Sequence, residues 1–305
     1  GDTLQFRHVF TLDDIPWLVD HQVEGSVVFP MAGYISAVVE ALHHHKPMEG
    51  SSNSIILREV VIDKAFLVSA DNNNELLTVL RPQRADTRSA ASSQCFGFEL
   101  LSWTERTGFV EHCRGFAKVV VSEDANLIGG STARQLESRR AHQLQSSMRS
   151  SCFRTVLPSK LYEAASRRGL SYGPSFQGVT SMQTGSLGAY GTLELVNTEL
   201  TSPSHAPGLL VHPAWLDAAL HVGLCNLGGN EGNPDQITAH VPTFLEEMKI
   251  QISSASNLSG QSDVFVHNIE TSAAASSTQA DITIFHSGQA VPALQIQGLR
   301  MFQTS

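Results

Sequence analysis

The chain has 305 residues, of which 41% are hydrophobic and 16% are charged, and its formal net charge is −9 at pH 7. This composition is that of a folded globular protein and excludes general disorder or a fibrous chain. The acidic balance, without a long run of Lys or Arg, argues against nucleic acid or an anionic membrane as a partner. No segment approaches the roughly 18 apolar residues of a membrane span.

The cysteines and the N-terminus indicate the compartment. Cys95, Cys113, Cys152 and Cys225 lie far apart, with neither C-x-x-C spacing nor the density of a disulfide scaffold, which favours a reducing environment. Residues 1–14 lack the apolar core of a signal peptide. We therefore expect a cytoplasmic protein, and because a strand-like segment follows Gly1 almost at once, we expect a domain of a larger polypeptide.

The first half of the chain predicts one buried helix followed by an antiparallel sheet. Residues 31–42 are apolar nearly all round a helix, and Pro30 precedes them at a position where a missing N–H costs nothing. Strand-like segments rich in β-branched and aromatic residues follow at residues 54–68, 75–80, 95–104 and 109–121. Such an order of elements predicts a sheet that encloses the helix.

The second half repeats this plan after a stretch that resembles a linker. Residues 122–151 contain Gly129 and Gly130, then Arg, Gln and Ser with few large apolar residues. A short helix is predicted at 159–168, strands through 176–195, a second buried helix at 213–227, and further strands, in the last of which Leu294 and Ile296 alternate with glutamines. We predict two modules, residues 1–121 and 152–305, joined by a linker at 122–151.

His21 lies in the first segment with candidate chemistry. This segment leads into the N-terminus of the first buried helix, where backbone N–H groups are unpaired and the helix dipole is positive. A base placed there could remove a proton α to a thioester carbonyl while the helix end stabilises the charge that develops on the carbonyl oxygen. Read alone, His21 could equally be a loop histidine that is hydrogen-bonded to the backbone.

Asp217 and His221 are the only strongly polar side chains on the second buried helix. Their spacing of four residues places them on one face, within reach of each other. Burial of a carboxyl group raises its pKa, so Asp217 is expected to be protonated near neutral pH and able to donate to a leaving hydroxyl. An Asp–His pair that only steadies the helix is the alternative.

Two further patterns carry less information on their own. Residues 170–178 contain Gly173 and Pro174 between aromatic residues, which predicts an ordinary tight turn. His43, His44 and His45 precede Pro47. Consecutive positions do not share a helix face, so we predict a solvated helix C-terminus and no metal site there.

Three motifs together resemble the dehydratase domain of modular and iterative polyketide synthases. They are H-x-x-x-G-x-x-x-x-P from His21 to Pro30, Y-G-P-x-F-Q-G from Tyr172 to Gly178, and H-P-x-x-L-D-x-x-x-H from His212 to His221. Their order and spacing cover essentially the whole chain. The forms F-P-x-A-G-Y at 29–34 and V-P-T-F-L-E-E at 241–247 are more similar to the highly reducing fungal branch.

The resemblance implies a double hotdog fold of the α+β class, with two subdomains that each wrap an antiparallel sheet round a central helix. It implies that His21 removes the α-proton of a 3-hydroxyacyl thioester and that Asp217 protonates the leaving hydroxyl, which yields a trans-2-enoyl product. The substrate would arrive on the phosphopantetheine arm of an acyl carrier protein, with no metal or other cofactor. His221 would orient the acid, and the implied substrate-binding residues are Gly25, Pro30, Met31, Tyr172, Gly173 and Pro174.

The implied partners are the acyl carrier protein and other domains of the same synthase, and a homodimer formed through that synthase is compatible with the resemblance. Met31 stands where the family commonly has Gly, so the substrate tunnel is expected to be narrower or differently shaped. Other activities remain open at this point: double-bond isomerisation, ring closure by conjugate addition, and guidance of aldol cyclisation all need a similar base. A non-catalytic acyl-binding module is disfavoured, because both the base and the acid are present.

Overall fold

The computed structural model of the chain describes residues 2–48, 53–83, 94–121, 128–195, 208–224, 240–252, 260–269 and 277–303. The helices are α1 (Met31–His45), α2 (Ile128–Ser151), α3 (Pro158–Ser166) and α4 (Pro213–Leu224). The strands are β1 (Leu4–Phe10), β2 (His21–Val23), β3 (Ser26–Val27), β4 (Asn53–Ile62), β5 (Asn74–Gln83), β6 (Gln94–Thr104), β7 (Gly108–Val121), β8 (Cys152–Thr155), β9 (Leu170–Tyr172), β10 (Val179–Gly185), β11 (Gly188–Leu193), β12 (His240–Ile252), β13 (Ser262–Ile269), β14 (Ser277–His286) and β15 (Leu294–Gln303).

Within the described ranges, twelve strands form one antiparallel sheet in the order β1-β5-β6-β7-β4-β12-β15-β14-β13-β11-β10-β8. The first five strands in this order come from the first half of the chain, and the other seven come from the second half. The halves join where β4 pairs with β12, from Phe244 opposite Val61 to Ile252 opposite Asn53. Two predicted modules are therefore fused through a continuous sheet.

Each half of the sheet surrounds one helix, and the predicted helix starts are confirmed. α1 begins at Met31 and α4 begins at Pro213, and every residue of α4 is buried. α1 and α4 also contact each other. A helix that is apolar on all sides is stable only where a sheet or other helices cover it. The apolar composition of both segments therefore predicted this placement. Residues 225–227 of the predicted second helix lie outside the described residues.

The segment predicted as a strand at 54–68 leaves the sheet earlier, because β4 ends at Ile62. The following residues pair instead with the stretch before α1. Leu67 bridges Val28, and the N–H of Phe29 donates to the carbonyl of Phe66 at 2.9 Å. This change of partner brings residues 63–65 and Leu67 to the same cavity as the catalytic candidates described below.

The predicted linker contains a helix, which corrects the reading of 122–151 as an irregular connection. α2 spans Ile128–Ser151, and residues 122–127 lie outside the described residues. Ala141, Leu144 and Met148 recur at helical spacing and pack against a cluster that includes Phe265 and Phe285. These three apolar residues are enough to hold α2 in place because Phe265 and Phe285 cover them from strands distant in sequence. The composition of residues 122–151 does not reveal these partners.

Among the described residues, no helix combines the length and apolar character needed to cross a lipid bilayer.

Candidate active site

A tight hairpin positions His21. β2 and β3 are joined by Glu24 and Gly25, which have φ values of 51° and 77°, as a two-residue turn with positive φ at both positions requires. The hairpin brings Val28 beside His21, and the Nδ1 of His21 donates to the Val28 carbonyl at 2.7 Å. A carbonyl can only accept, so Nδ1 carries the proton and Nε2 keeps its lone pair.

Burial tunes His21 toward its neutral form. The side chain is buried, and desolvation lowers its pKa below the ordinary value of 6.5, against the raising effects of the Asp217 charge and the Val28 carbonyl. Burial disfavours an imidazolium because the charged form loses its hydration. His21 therefore presents a neutral Nε2 that can accept a proton at physiological pH.

A second pairing of β2 brings the Tyr172 motif to His21. In a three-stranded sheet of order β3-β2-β9, His21 lies opposite Tyr172. The N–H of Gly173 then donates to the Asp20 carbonyl at 2.7 Å, and the N–H of Ser175 donates to Asp20 Oδ2 at 2.8 Å. A Cβ at position 173 would overlap the Asp20 carboxyl group. Glycine therefore permits this close approach between the two halves.

Helix α4 supplies a buried carboxylate to the same place. Asp217 is 5% exposed and His221, one turn later, is 2% exposed. The Nε2 of His221 lies 3.0 Å from Asp217 Oδ2, and the Nε2 of His21 lies 3.8 Å from the same oxygen. The His221 ring packs on Tyr172 with a centroid separation of 3.9 Å. One carboxylate oxygen thus lies between two imidazoles, and no hydrogen bond of good geometry reaches it from the described residues.

Desolvation and the contact with His221 oppose each other at Asp217, and the expectation that desolvation prevails is not met. Desolvation is the largest single influence and raises the pKa, but the contact with His221 and the charges of His221 and His21 together bring it below the ordinary value of 3.8. An imidazole close to a carboxyl group favours the ionised form. The fold that buries Asp217 also brings two histidines to it, and their combined effect exceeds that of desolvation.

His21, Asp217 and His221 face a cavity of about 490 Å³. Three of the six predicted substrate-binding residues also line it: Pro30, Met31 and Tyr172. The lining does not include Gly25, Gly173 or Pro174. Gly25 instead permits the positive φ of the β2–β3 turn, and Gly173 permits the close approach to Asp20. Pro174 begins a short 3₁₀ turn.

Several lining residues had no role in the sequence-based prediction. They are drawn from the first motif, from the segment after β4 and from the start of β12. Phe29 and Tyr34 belong to a quoted motif, so that motif could have indicated them. Lys64 and His240 had no local signal, because only tertiary pairing brings their segments to the cavity. Examples of these residues are Phe29, Tyr34, Lys64 and His240.

Other histidines of the motifs and of helix α1 lie away from His21 and Asp217. His44 and His45 are exposed at the end of α1, as expected for a solvated helix C-terminus. His212 is buried beside Trp17 and does not line the cavity. Within the described ranges, no group of three His, Cys, Asp or Glu side chains is arranged to hold a metal ion.

Comparison with known families identifies the chain. Residues 140–305 match the model described as the polyketide synthase dehydratase N-terminal domain, and residues 1–94 match the model of the polyketide synthase dehydratase domain. The chain belongs to the polyketide synthase dehydratase family. It is therefore a dehydratase enzyme domain that acts in polyketide chain processing, and the resemblance stated from the motifs is confirmed.

The relatives of this dehydratase domain include fungal highly reducing synthases. It is 28% identical over 97% of its length to highly-reducing polyketide synthase 1 of Aureobasidium melanogenum, and 30% identical over 80% of its length to a highly reducing polyketide synthase of Didymella fabae. The compactin diketide synthase of Penicillium citrinum is 29% identical over 98% of the chain. The dehydratase domain corresponds to 14%, 13% and 12% of these three relatives' lengths, respectively.

Solved structures confirm the double hotdog fold. The dehydratase domain from the CurK module of curacin polyketide synthase superposes with a TM-score of 0.72, at 21% identity, over 100% of this chain and 94% of that one. A dehydratase domain of a trans-AT polyketide synthase from Brevibacillus brevis gives a TM-score of 0.73, at 22% identity, over 99% of this chain and 94% of that one.

Proposed function

We propose that this dehydratase domain removes water from a 3-hydroxyacyl thioester, with His21 as the base and Asp217 as the acid. The proposal depends on one observation: His21 Nε2 and Asp217 Oδ2 lie 3.8 Å apart and line the same cavity. The proton and the hydroxyl leave from adjacent carbon atoms, so the base and the acid must face the same short stretch of substrate.

The elimination transfers one proton from the substrate to His21 and one proton from Asp217 to the leaving group. The Nε2 of His21 takes the proton from C2, the C–H electron pair becomes the C2–C3 double bond, and the C3–O bond breaks. Asp217 delivers a proton to the departing hydroxyl, which leaves as water, and the product is a trans-2-enoyl thioester. Proton transfer from His21 back to Asp217 restores the site. Substrate and protein exchange no electrons with an outside group, so the proposal includes no redox cofactor, and the side chains supply both the base and the acid.

The proton that Asp217 delivers belongs to the Asp217–His221 pair. His221 Nε2 and Asp217 Oδ2 are 3.0 Å apart, and this contact holds the pKa of Asp217 down. At this separation an imidazole N–H can donate to the carboxylate, so the two side chains can share one proton. Proton donation to the leaving hydroxyl then draws on both residues, with Asp217 as the group that faces the substrate.

The N-terminus of α1 is suited to the thioester carbonyl. Pro30 and Met31 line the cavity at the first turn of this helix. The N–H of Gly33 already donates to the Pro30 carbonyl at 2.9 Å. The N–H groups of Met31 and Ala32 precede it, have no acceptor within a helix and carry partial positive charge. As His21 removes the α-proton, negative charge develops on the carbonyl oxygen, and these N–H groups would stabilise it. Met31 keeps its N–H, while its side chain occupies part of the cavity.

We further propose that the substrate arrives on the phosphopantetheine arm of an acyl carrier protein within a larger synthase. The relatives are long synthases in which the matching region is a small share of the length. Two structural neighbours are inactive mutants of the CurK dehydratase, in which phenylalanine replaces a histidine and asparagine replaces an aspartate, respectively. This pair of residue types supports the assignment of His21 and Asp217.

The direct test incubates the purified domain with a 3-hydroxyacyl pantetheine thioester and with the same acyl group on an acyl carrier protein. We expect a product lighter by one water, with NMR showing a trans double bond between C2 and C3. A double bond between C3 and C4 would indicate isomerisation instead. An unchanged substrate in both presentations would refute the proposal and favour a binding module.

A further inference from the structure

A second cavity runs beside helix α1, next to the active-site cavity. It encloses about 380 Å³ between α1 and the strands β1 and β5. Small side chains on one face of α1 leave this space, among them Gly33, Ala37 and Ala41. The polar lining residues on α1 are Ser36, Glu40 and His44, and the last two lie toward the C-terminal end of the helix.

Phe29 borders both cavities. Its ring lies against the backbone of α1, since a Cβ placed at Gly33 would be 2.6 Å from Cε1 of Phe29. Aromatic rings hold it from the sides: its centroid is 5.1 Å from Tyr34, 5.8 Å from Phe66 and 6.2 Å from Phe10. Phe29 is therefore a packed aromatic wall that the two cavities share.

We propose that Phe29 sets the limit on acyl chain length in this domain and that the second cavity is an extension of the substrate site, closed off by its ring. This inference rests on the proposed function, because the occupant is the distal end of a linear 3-hydroxyacyl chain. Phe29 lines both this cavity and the cavity that holds His21 and Asp217, and this shared wall favours the acyl chain as the occupant.

The shape of the second cavity suits an extended alkyl chain. It follows α1 from Gly33 to His44, a distance of about 16 Å at 1.5 Å per residue. Loss of the Phe29 ring would add this space to the active-site cavity and leave the base and acid in place. Acyl chains short enough to end at the Phe29 ring in the native domain would make no new contacts. Longer acyl chains would make additional apolar contacts in the second cavity.

The test compares turnover of a series of 3-hydroxyacyl pantetheine thioesters, from butyryl to dodecanoyl, by the native domain and by Phe29→Ala. We expect the ratio of kcat/KM for the longest chain to that for the shortest chain to rise about tenfold or more, the effect of one or a few methylenes in an apolar pocket. Phe66→Ala is the matched control, because it removes the same ring from the same aromatic cluster without joining the cavities. This control should leave the ratio unchanged.

A double variant tests whether the second cavity itself receives the chain. Phe29→Ala combined with Ala37→Leu fills the space along α1 and should return the ratio to its native value. If Phe29→Ala proves unstable in thermal unfolding, Phe29→Leu is used and should raise the ratio by a smaller factor. An unchanged ratio in the folded Phe29 variant, or a raised ratio that persists in the double variant, would overturn the inference.

Failure of the proposed function has a different signature. A native domain that converts no thioester of any length refutes the dehydration chemistry. A native domain that converts the short thioester, with no change in the ratio for the Phe29 variant, refutes only the role of Phe29.

Discussion

His21 Nε2 lies 3.8 Å from Asp217 Oδ2, although the two residues come from different halves of the chain. Each depends on the other half for its position. β2, which carries His21, pairs with β9 from the second half, and α4, which carries Asp217, packs against α1 from the first. The site therefore exists only when both hotdogs are folded and joined, and the following predictions test separate parts of it.

Replacement of His21 should abolish dehydration without unfolding the domain. We expect His21→Ala to lower kcat by about 10²–10⁴-fold, the usual contribution of a general base. His21→Phe is the packing control, because it keeps a ring beside Tyr172 and Phe176. Both variants should unfold near the native temperature, and turnover close to native in either would contradict the role of His21 as base.

Substitutions of Asp217 and His221 should have different effects on turnover. Asp217→Asn keeps the shape but cannot supply a proton, so we expect turnover to be abolished while thioester binding, measured by calorimetry, is preserved. His221→Gln should be milder. It removes the contact that holds the pKa of Asp217 down, so desolvation then raises that pKa and the carboxyl keeps its own proton.

For His221→Gln, the basic limb of the pH profile should consequently change, because Asp217 alone then holds the proton for the leaving hydroxyl. If Asp217→Asn retained substantial turnover while His221→Gln lost it, the roles would have to be exchanged, with His221 as the proton donor and Asp217 as its support.

The acidic limb of the kcat/KM profile should report His21. Because burial lowers the pKa of His21 below 6.5, the base stays neutral to a lower pH than a free histidine does. Activity should fall only as the pH drops through this lowered pKa, since protonation of Nε2 removes the base. The profile is measured with a pantetheine thioester, and an acidic limb centred above 6.5 would contradict the assignment.

His212 should make stability depend on pH. Burial lowers its pKa from 6.5 to about 4 in the folded domain. Between these two values the unfolded chain binds a proton that the folded domain does not, so the free energy of unfolding should fall as the pH drops from 6.5 toward 4. The slope due to this residue is at most about 1.4 kcal/mol per pH unit.

Urea unfolding at several pH values measures this slope for the native domain and for His212→Asn. The asparagine variant should show a shallower slope in that window. Equal slopes would show that another group is responsible.

Gly173→Ala should reduce both stability and turnover. The added Cβ would overlap the Asp20 carboxyl and force β9 away from β2, which shifts Tyr172 beside His21. We expect a loss of about 1–3 kcal/mol in the free energy of unfolding, as for other overpacked sites. Gly108→Ala is a control with open space around it and a φ of 67°. It should cost about 1–2 kcal/mol through backbone strain alone and leave turnover unchanged.

The central helices, the strand-rich halves and the catalytic candidates could all be predicted from residues close together in the sequence. Buried helices can be recognised because a helix-length apolar segment is stable only when other elements enclose it on all sides. The motifs at His21 and Asp217 were legible because positive φ at Gly25 and the four-residue spacing of Asp217 and His221 are local requirements. Local geometry is encoded in neighbouring residues, so sequence reasoning reaches it.

Other features depend on partners that are distant in sequence and became visible once the chain was folded. α2 is helical because Ala141 and Met148 find Phe265 and Phe285 far along the chain. The pKa of Asp217 is lowered because two histidines reach one oxygen, and one of them comes from the other half. Phe29 separates two cavities because the fold places its ring against Gly33. Burial, the distances between charged groups and the shape of a cavity each depend on residues that are remote in sequence. No local sequence pattern specifies them.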